Sequence, residues 1–94
     1  MSHENKKVII VDVREPYEFS SGHVQGALNI PPAELMQGIP KELTSIAKDT
    51  EIVLYCRSGA RSAASIQLLQ RQGFTNLVNG INQDHVEANY LARS

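Results

Sequence analysis

The only cysteine in this 94-residue chain, Cys56, stands where it could do chemistry. It ends the apolar run Ile52-Val53-Leu54-Tyr55 and opens the polar turn Cys56-Arg57-Ser58-Gly59-Ala60-Arg61-Ser62, which leads into a helical pattern. A side chain at the carboxyl end of a buried strand lies where open α/β sheets gather their ligands. The turn must be tight, and Gly59 gives it backbone freedom. The first N–H groups of the following helix have no acceptor within it and can point back at the sulfur. A free cysteine titrates near pH ~8.5, and a helix N-terminus with nearby cations lowers this to roughly 3.5–7.5. The expected product is a nucleophilic Cys56 thiolate above an anion cradle, formed by Arg57, Ser58, Gly59, Ala60, Arg61 and Ser62.

Each of these residues also has a plainer reading. A lone cysteine is commonly a small buried apolar residue, and arginines are commonly solvated surface charges. Ser58 and Ser62 read by default as turn and helix-capping residues, with their backbone N–H groups still free to contribute. Position at the strand end, Gly59 and two arginines together favour the reactive site over the plain core residue.

The elements that must hold this loop alternate between strand and helix. Val8-Ile9-Ile10-Val11, β-branched throughout and ending at Asp12, reads as a strand covered on both faces. Pro16 suits the first turn of a short helix that Gly22 closes, and Gly26 marks another turn. Ala27 to Ile30 reads as a brief strand stopped by Pro31-Pro32, and Ala33 to Gln37 as a short helix ending at Gly38. Pro40 to Lys48 is expected to be helical, with Leu43, Ile46 and Ala47 facing inward. Ala60 to Gln72 reads as the strongest helix, its scattered apolar positions suggesting contact on more than one side, with Gly73 as terminator. Leu77-Val78 is a short third strand signal, and Gln83 to Ala92 a final helix with Val86, Tyr90 and Leu91 inward. Alternation of this kind predicts an α/β layered domain on a mainly parallel sheet.

Length allows one compact domain over residues 1–94, with 1–7 a polar, flexible lead-in. A chain this short buries only about 60–70% of its unfolded surface, which disfavours a large enclosed cofactor cavity. Hydrophobic residues at 41% and charged ones at 20% are ordinary for a soluble globular protein. Nine Lys and Arg against ten Asp and Glu leave a net charge of −1, with no basic tract suited to nucleic acid. A single cysteine excludes an internal disulfide, and with no signal-like or membrane-spanning run it points to a reducing, cytoplasmic setting.

Three segments in order resemble the rhodanese-like domain family. The loop Cys56 to Ser62 resembles its active-site loop, Asp12-Val13-Arg14-Glu15-Pro16-Tyr17-Glu18-Phe19 its first signature, and Gly22-His23-Val24-Gln25-Gly26-Ala27-Leu28-Asn29-Ile30-Pro31 its second. With the helix end at Leu69 to Phe74, the likeness spans roughly residues 8–80. It implies a three-layer α/β domain with helices on both faces of the sheet. It also implies a single-domain thiosulfate sulfurtransferase in which Cys56 takes sulfur from thiosulfate or a persulfide and passes it to cyanide or a thiol. The loop N–H groups would hold the Cys56 persulfide, and Arg57 and Arg61 would orient the dianionic donor. No metal or organic cofactor is implied.

Two other functions compete with this one: a sulfur-carrier or interaction module loaded by a relay partner protein, and a phosphatase or arsenate reductase. Related folds with a loop one residue longer handle phosphate and arsenate, whereas Cys56 to Arg61 counts six residues, the length tied in the family to sulfur chemistry. Asp12 and Arg14 are expected to form a partly buried ion pair that supports the site. His23, far in sequence from His3 and His85, reads as a hydrogen-bonded packing residue. The likeness fades after the third strand. Where the family usually carries a Gly-Gly pair and an aromatic residue, this chain has Asn79-Gly80-Ile81-Asn82 and no tryptophan, which puts the donor-facing wall in question.

Overall fold

A computed structural model of the chain describes residues 8–90. Four strands, β1 (Val8–Asp12), β2 (Leu28–Asn29), β3 (Glu51–Cys56) and β4 (Leu77–Asn82), form one sheet in the order β2-β1-β3-β4. Every pairing is parallel. Four helices connect or flank them: α1 (Pro16–Ser20), α2 (Pro32–Leu35), α3 (Ala60–Arg71) and α4 (Gln83–Asn89). The α/β architecture expected from the alternation of elements is the one observed.

Strand periodicity divides the core into two layers. Val11, Ile52, Leu54 and Cys56 pack with Leu35 of α2, Leu69 of α3, and Phe74. Ile10, Val53 and Tyr55 pack on the opposite face with Val86 of α4, Phe19 of α1 and Tyr90. Both faces are therefore covered, which is why the strands read as unbroken apolar runs. Because β1 runs on to one edge of the sheet and β3 to the other, the crevice at the carboxyl ends of these two central strands is the switch point.

Several element boundaries differ from the sequence-based expectation. Pro40 to Lys48 forms only a 3-10 turn at Lys41–Leu43, followed by irregular chain. Thr44 Oγ1 donates to the Lys41 carbonyl at 2.9 Å, the local side-chain bond by which threonine competes with helix. Leu43 is buried as expected, Ile46 partly so, and Ala47 is exposed. The α3 helix is touched on more than one side, as expected, by β3 and β4, by α2, and by α1 through Arg61; Ala63 and Ala64 are exposed, and its buried stripe is Ser62, Ser65 and Leu69. Serine at two of these positions hid the stripe from a hydrophobicity count. Its C-terminus follows expectation, with Gly73 at φ +101° after the last turn.

The third strand signal extends to six residues, Leu77–Asn82. Leu54 pairs with Asn79 but Tyr55 with Ile81, so Gly80 is the extra residue of a bulge. Ile81 takes φ +74°, strained for a β-branched residue. The expected final helix ends by Asn89, while Leu91, Ala92 and the 1–7 lead-in lie outside the described residues.

Gly80 is where this bulge leaves no room. A Cβ there would stand 2.6 Å from Val86 Cγ2, 2.8 Å from Val53 Cγ1 and 3.2 Å from the Leu54 carbonyl. Gly80→Ala is expected to destabilise the domain by about 1–3 kcal/mol through overpacking. The midpoint of urea unfolding checks this; an unchanged midpoint would show that β4 shifts freely.

Candidate active site

The sequence places Cys56 at the end of β3 because Ile52 to Tyr55 is an uninterrupted core strand. Its Sγ is almost fully buried, with the residue 2% exposed, yet it forms part of the floor of a cleft of about 500 Å³. Arg14, Glu18, Ser21 and Gly22 from the β1–α1 region, Arg57 from the loop, and Asn82, Gln83 and Asp84 at the start of α4 line the rest. Three loops following three adjacent strands thus meet over one sulfur.

The loop turns back on that sulfur. Gly59 takes φ +95°, a left-handed conformation that L side chains rarely adopt, and its N–H donates to Cys56 Sγ at 3.1 Å. Ser62 Oγ lies 3.7 Å from Sγ. Burial by itself pushes the thiol up, but hydrogen bonds from the Ser62 backbone and hydroxyl and from the Ser58 and Gly59 backbones outweigh it. The net result is a thiol lowered to about 7. The thiolate is therefore favoured relative to a free cysteine at neutral pH. Directed N–H and O–H dipoles are the dominant cause of this lowering.

Ser62 is not the helix cap that its residue type suggests. Gly59 occupies the N-cap position of α3, and Ser62 is fully buried one turn in. Its hydroxyl lies 2.6 Å from Asn79 Oδ1 and 3.1 Å from the Gly59 carbonyl. Asn79 Nδ2 donates to the same carbonyl at 3.0 Å, so β4 ties down the apex of the loop. Sequence reasoning gave Asn79 no such part. The available signal was a polar residue directly after the short apolar run Leu77-Val78.

The two loop arginines take different positions. Arg57 is exposed and lines the cleft. Arg61, also expected to orient a donor, instead closes on the Glu18 carboxylate, with contacts of 2.8 and 3.2 Å. Glu18 also accepts the Glu15 N–H at 2.9 Å. The Arg61 guanidinium first, and that N–H second, hold the Glu18 carboxyl at about 2. Arg61 therefore clamps α3 to α1, a contact its place in the loop did not announce. Ser58 and Ala60 complete the turn, the former at its bend and the latter as the first residue of α3.

Asp12 and Arg14 do form an ion pair. Asp12 is fully buried, and Arg14 Nε and Nη2 grip both of its carboxylate oxygens at 2.7–3.1 Å. The Tyr55 hydroxyl donates to Asp12 Oδ2 at 2.9 Å and accepts the Val24 N–H at 3.0 Å. Burial first, and the donation to Asp12 with it, push the Tyr55 phenol up to about 12, so it stays a donor across the working range. Arg14 also donates to the Gly22 carbonyl at 2.7 Å. Arg14 thus ties the end of β1 to the turn after α1 on the cleft lining. His23 stacks on Phe19 at 3.6 Å, with Nδ1 2.7 Å from the Phe19 carbonyl, outside the cleft lining.

Two outcomes follow from these interactions. The rate of Cys56 alkylation by iodoacetamide should rise with pH and reach half its maximum near pH 7. Ser62→Ala should move that midpoint upward by about half to one unit as one donor is lost. A wild-type midpoint at the free-thiol value of about 8.5 would contradict the cradle. For Glu18, the folded carboxyl lies below its ordinary value of 4.5, so its contribution to stability is complete above that value and fades as pH falls toward 2. Glu18→Gln should flatten this part of the stability curve, as read from denaturant midpoints between these pH values.

A model of the Rhodanese-like domain family matches residues 1–83. A protein named sulfurtransferase from Allochromatium vinosum is 38% identical over 76 residues, covering 81% of this chain and 67% of its own length. The thiosulfate sulfurtransferase PspE of Escherichia coli K12 is 33% identical over 69 residues, covering 73% of this chain and 64% of its own. Among solved structures, a rhodanese from Escherichia coli, determined with anions, superposes with a TM-score of 0.72 at 29% identity. That superposition covers 84% of this chain and 91% of the other. The matched region spans about two thirds of the length of these two relatives.

Proposed function

Since the chain belongs to the rhodanese-like domain family, we propose that it is a sulfurtransferase that moves sulfane sulfur through a persulfide on Cys56. The observation that carries this reading is the Cys56 sulfur, which lines an open cleft and accepts the Gly59 N–H at 3.1 Å from the loop that turns back on it. Relatives named sulfurtransferase or thiosulfate sulfurtransferase support it.

Catalysis divides into two displacements. In the first, the Cys56 thiolate attacks the outer sulfur of a donor, thiosulfate or a thiol persulfide. The donor's S–S bond breaks, and its electron pair leaves with sulfite or a thiolate. The Gly59 N–H, at 3.1 Å from Sγ, is placed to stabilise negative charge as the sulfur chain lengthens. Arg57, on the cleft lining, attracts the anionic donor. In the second displacement, cyanide or a thiol attacks the terminal sulfur and the Cys56 thiolate is regenerated. Asp12, Arg14, Glu18 and Arg61 act on neither step directly; they hold the walls between which the donor enters.

Mass spectrometry after exposure to thiosulfate or a small persulfide tests the reading. Wild-type protein should gain one sulfur atom at Cys56 and lose it on addition of cyanide. Cys56→Ser should gain nothing. Wild-type protein that stays unmodified by every donor would refute the proposal.

A further inference from the structure

The cleft above Cys56 holds no surplus of positive charge. Its charged lining consists of two arginines, Arg14 and Arg57, and two carboxylates, Glu18 and Asp84. Arg14 is committed to the buried Asp12, and the Arg61 guanidinium closes on Glu18. Among the described residues, Arg57 and Asp84 are the charged lining groups that enter no ion pair. A donor approaching the sulfur thus meets one uncommitted cation and one uncommitted anion.

Asp84 stands there because of the strand register. Cys56 pairs with Asn82, so β4 ends level with the sulfur. Asn82 Oδ1 accepts the His85 N–H at 2.8 Å, which starts α4 at once and sets Asp84 in its first turn on the cleft wall. An acid in a first turn also suits the helix dipole. That contribution is the same whichever donor enters. Repulsion between Asp84 and the donor, by contrast, grows with each negative charge the donor carries.

We infer that Asp84 is a specificity-determining residue that turns this cleft toward donors of a single negative charge, persulfides carried on a thiol, and away from the thiosulfate dianion. The inference rests on the sulfurtransferase reading above. In the favoured reaction the bond between the donor's two sulfurs breaks and a bond from Cys56 Sγ to the outer sulfur forms. The electron pair departs with the donor thiolate, so no outside oxidant or reductant is needed.

The test compares Cys56 persulfide formation from thiosulfate and from cysteine persulfide, in wild type and Asp84→Asn, at low and high salt. Asp84→Asn should lower the apparent KM for thiosulfate about threefold to fivefold and that for cysteine persulfide by only about twofold, half the effect in free energy for half the charge. Added salt should shrink the difference, and Asp84→Glu should keep the wild-type preference. An equal change for both donors, or none for thiosulfate, would overturn the assignment of Asp84 while leaving sulfur transfer in place. Failure of both donors to load Cys56 in either protein would instead remove the sulfurtransferase reading, and this inference with it.

Discussion

A sulfur anion withdrawn from water is costly unless donors replace the solvent, and the arrangement around Cys56 follows from meeting that requirement. Burial raises the thiol, while the Ser62, Ser58 and Gly59 backbones and the Ser62 hydroxyl more than reverse the effect. The donors must converge from one side of a six-residue turn, which demands a left-handed residue at its apex. Gly59 supplies it at φ +95°. A Cβ there would stand 3.6 Å from Asn79 and from Ile81, an ordinary contact distance, so it is the left-handed backbone and not space that reserves the position for glycine. The same backbone step therefore serves both the electrostatics of the sulfur and the seating of the loop on β4.

Two ion pairs make this turn rigid from outside. Asp12 with Arg14 sits on the α1–α4 face of the sheet, together with Tyr55, while Cys56 faces α3. Alternation along β3 thus sends one residue to the supporting network and the next to the site. Glu18 with Arg61 joins α1 to the first turn of α3 across the cleft. With both pairs closed, most of the fixed charge near the sulfur is internally balanced. Arg57 and Asp84 are left to deal with the entering molecule. The cleft therefore offers an entering anion oriented dipoles and one cation in place of bulk positive charge.

Legibility in the sequence followed the range of the interaction. Local signals were clear: the β-branched run of β1, the apolar run into Cys56, Gly59 ahead of α3 and Gly73 after it. The helix expected from Pro40 to Lys48 failed because inward spacing at Leu43 and Ile46 carried more weight than the side-chain bond of Thr44 to the Lys41 carbonyl. The buried stripe of α3 was not legible because Ser62 and Ser65 are buried through hydrogen bonds, which a hydrophobic pattern does not register. β4 was cut short because Asn79 and Gly80 look like a turn, whereas the bulge and the Asn79 side chain keep them in the sheet.

By itself, the sequence determined that a lone cysteine ends a buried parallel strand and enters a glycine-containing turn before a helix. Those are consequences of residues adjacent in the chain, acting through periodicity and backbone freedom. Asp12 and Arg14, two positions apart, could be paired from the sequence, but only the tertiary structure decided which groups distant in the chain meet. Arg61 and Glu18 are 43 positions apart, as are Asp12 and Tyr55. A charged side chain can remain solvated wherever its local pattern puts it, so only the packing of strands and helices selects its partner. The same packing brought Asp84 to the wall of the cleft that Cys56 lines, because the pairing of Cys56 with Asn82 exists only in the assembled sheet.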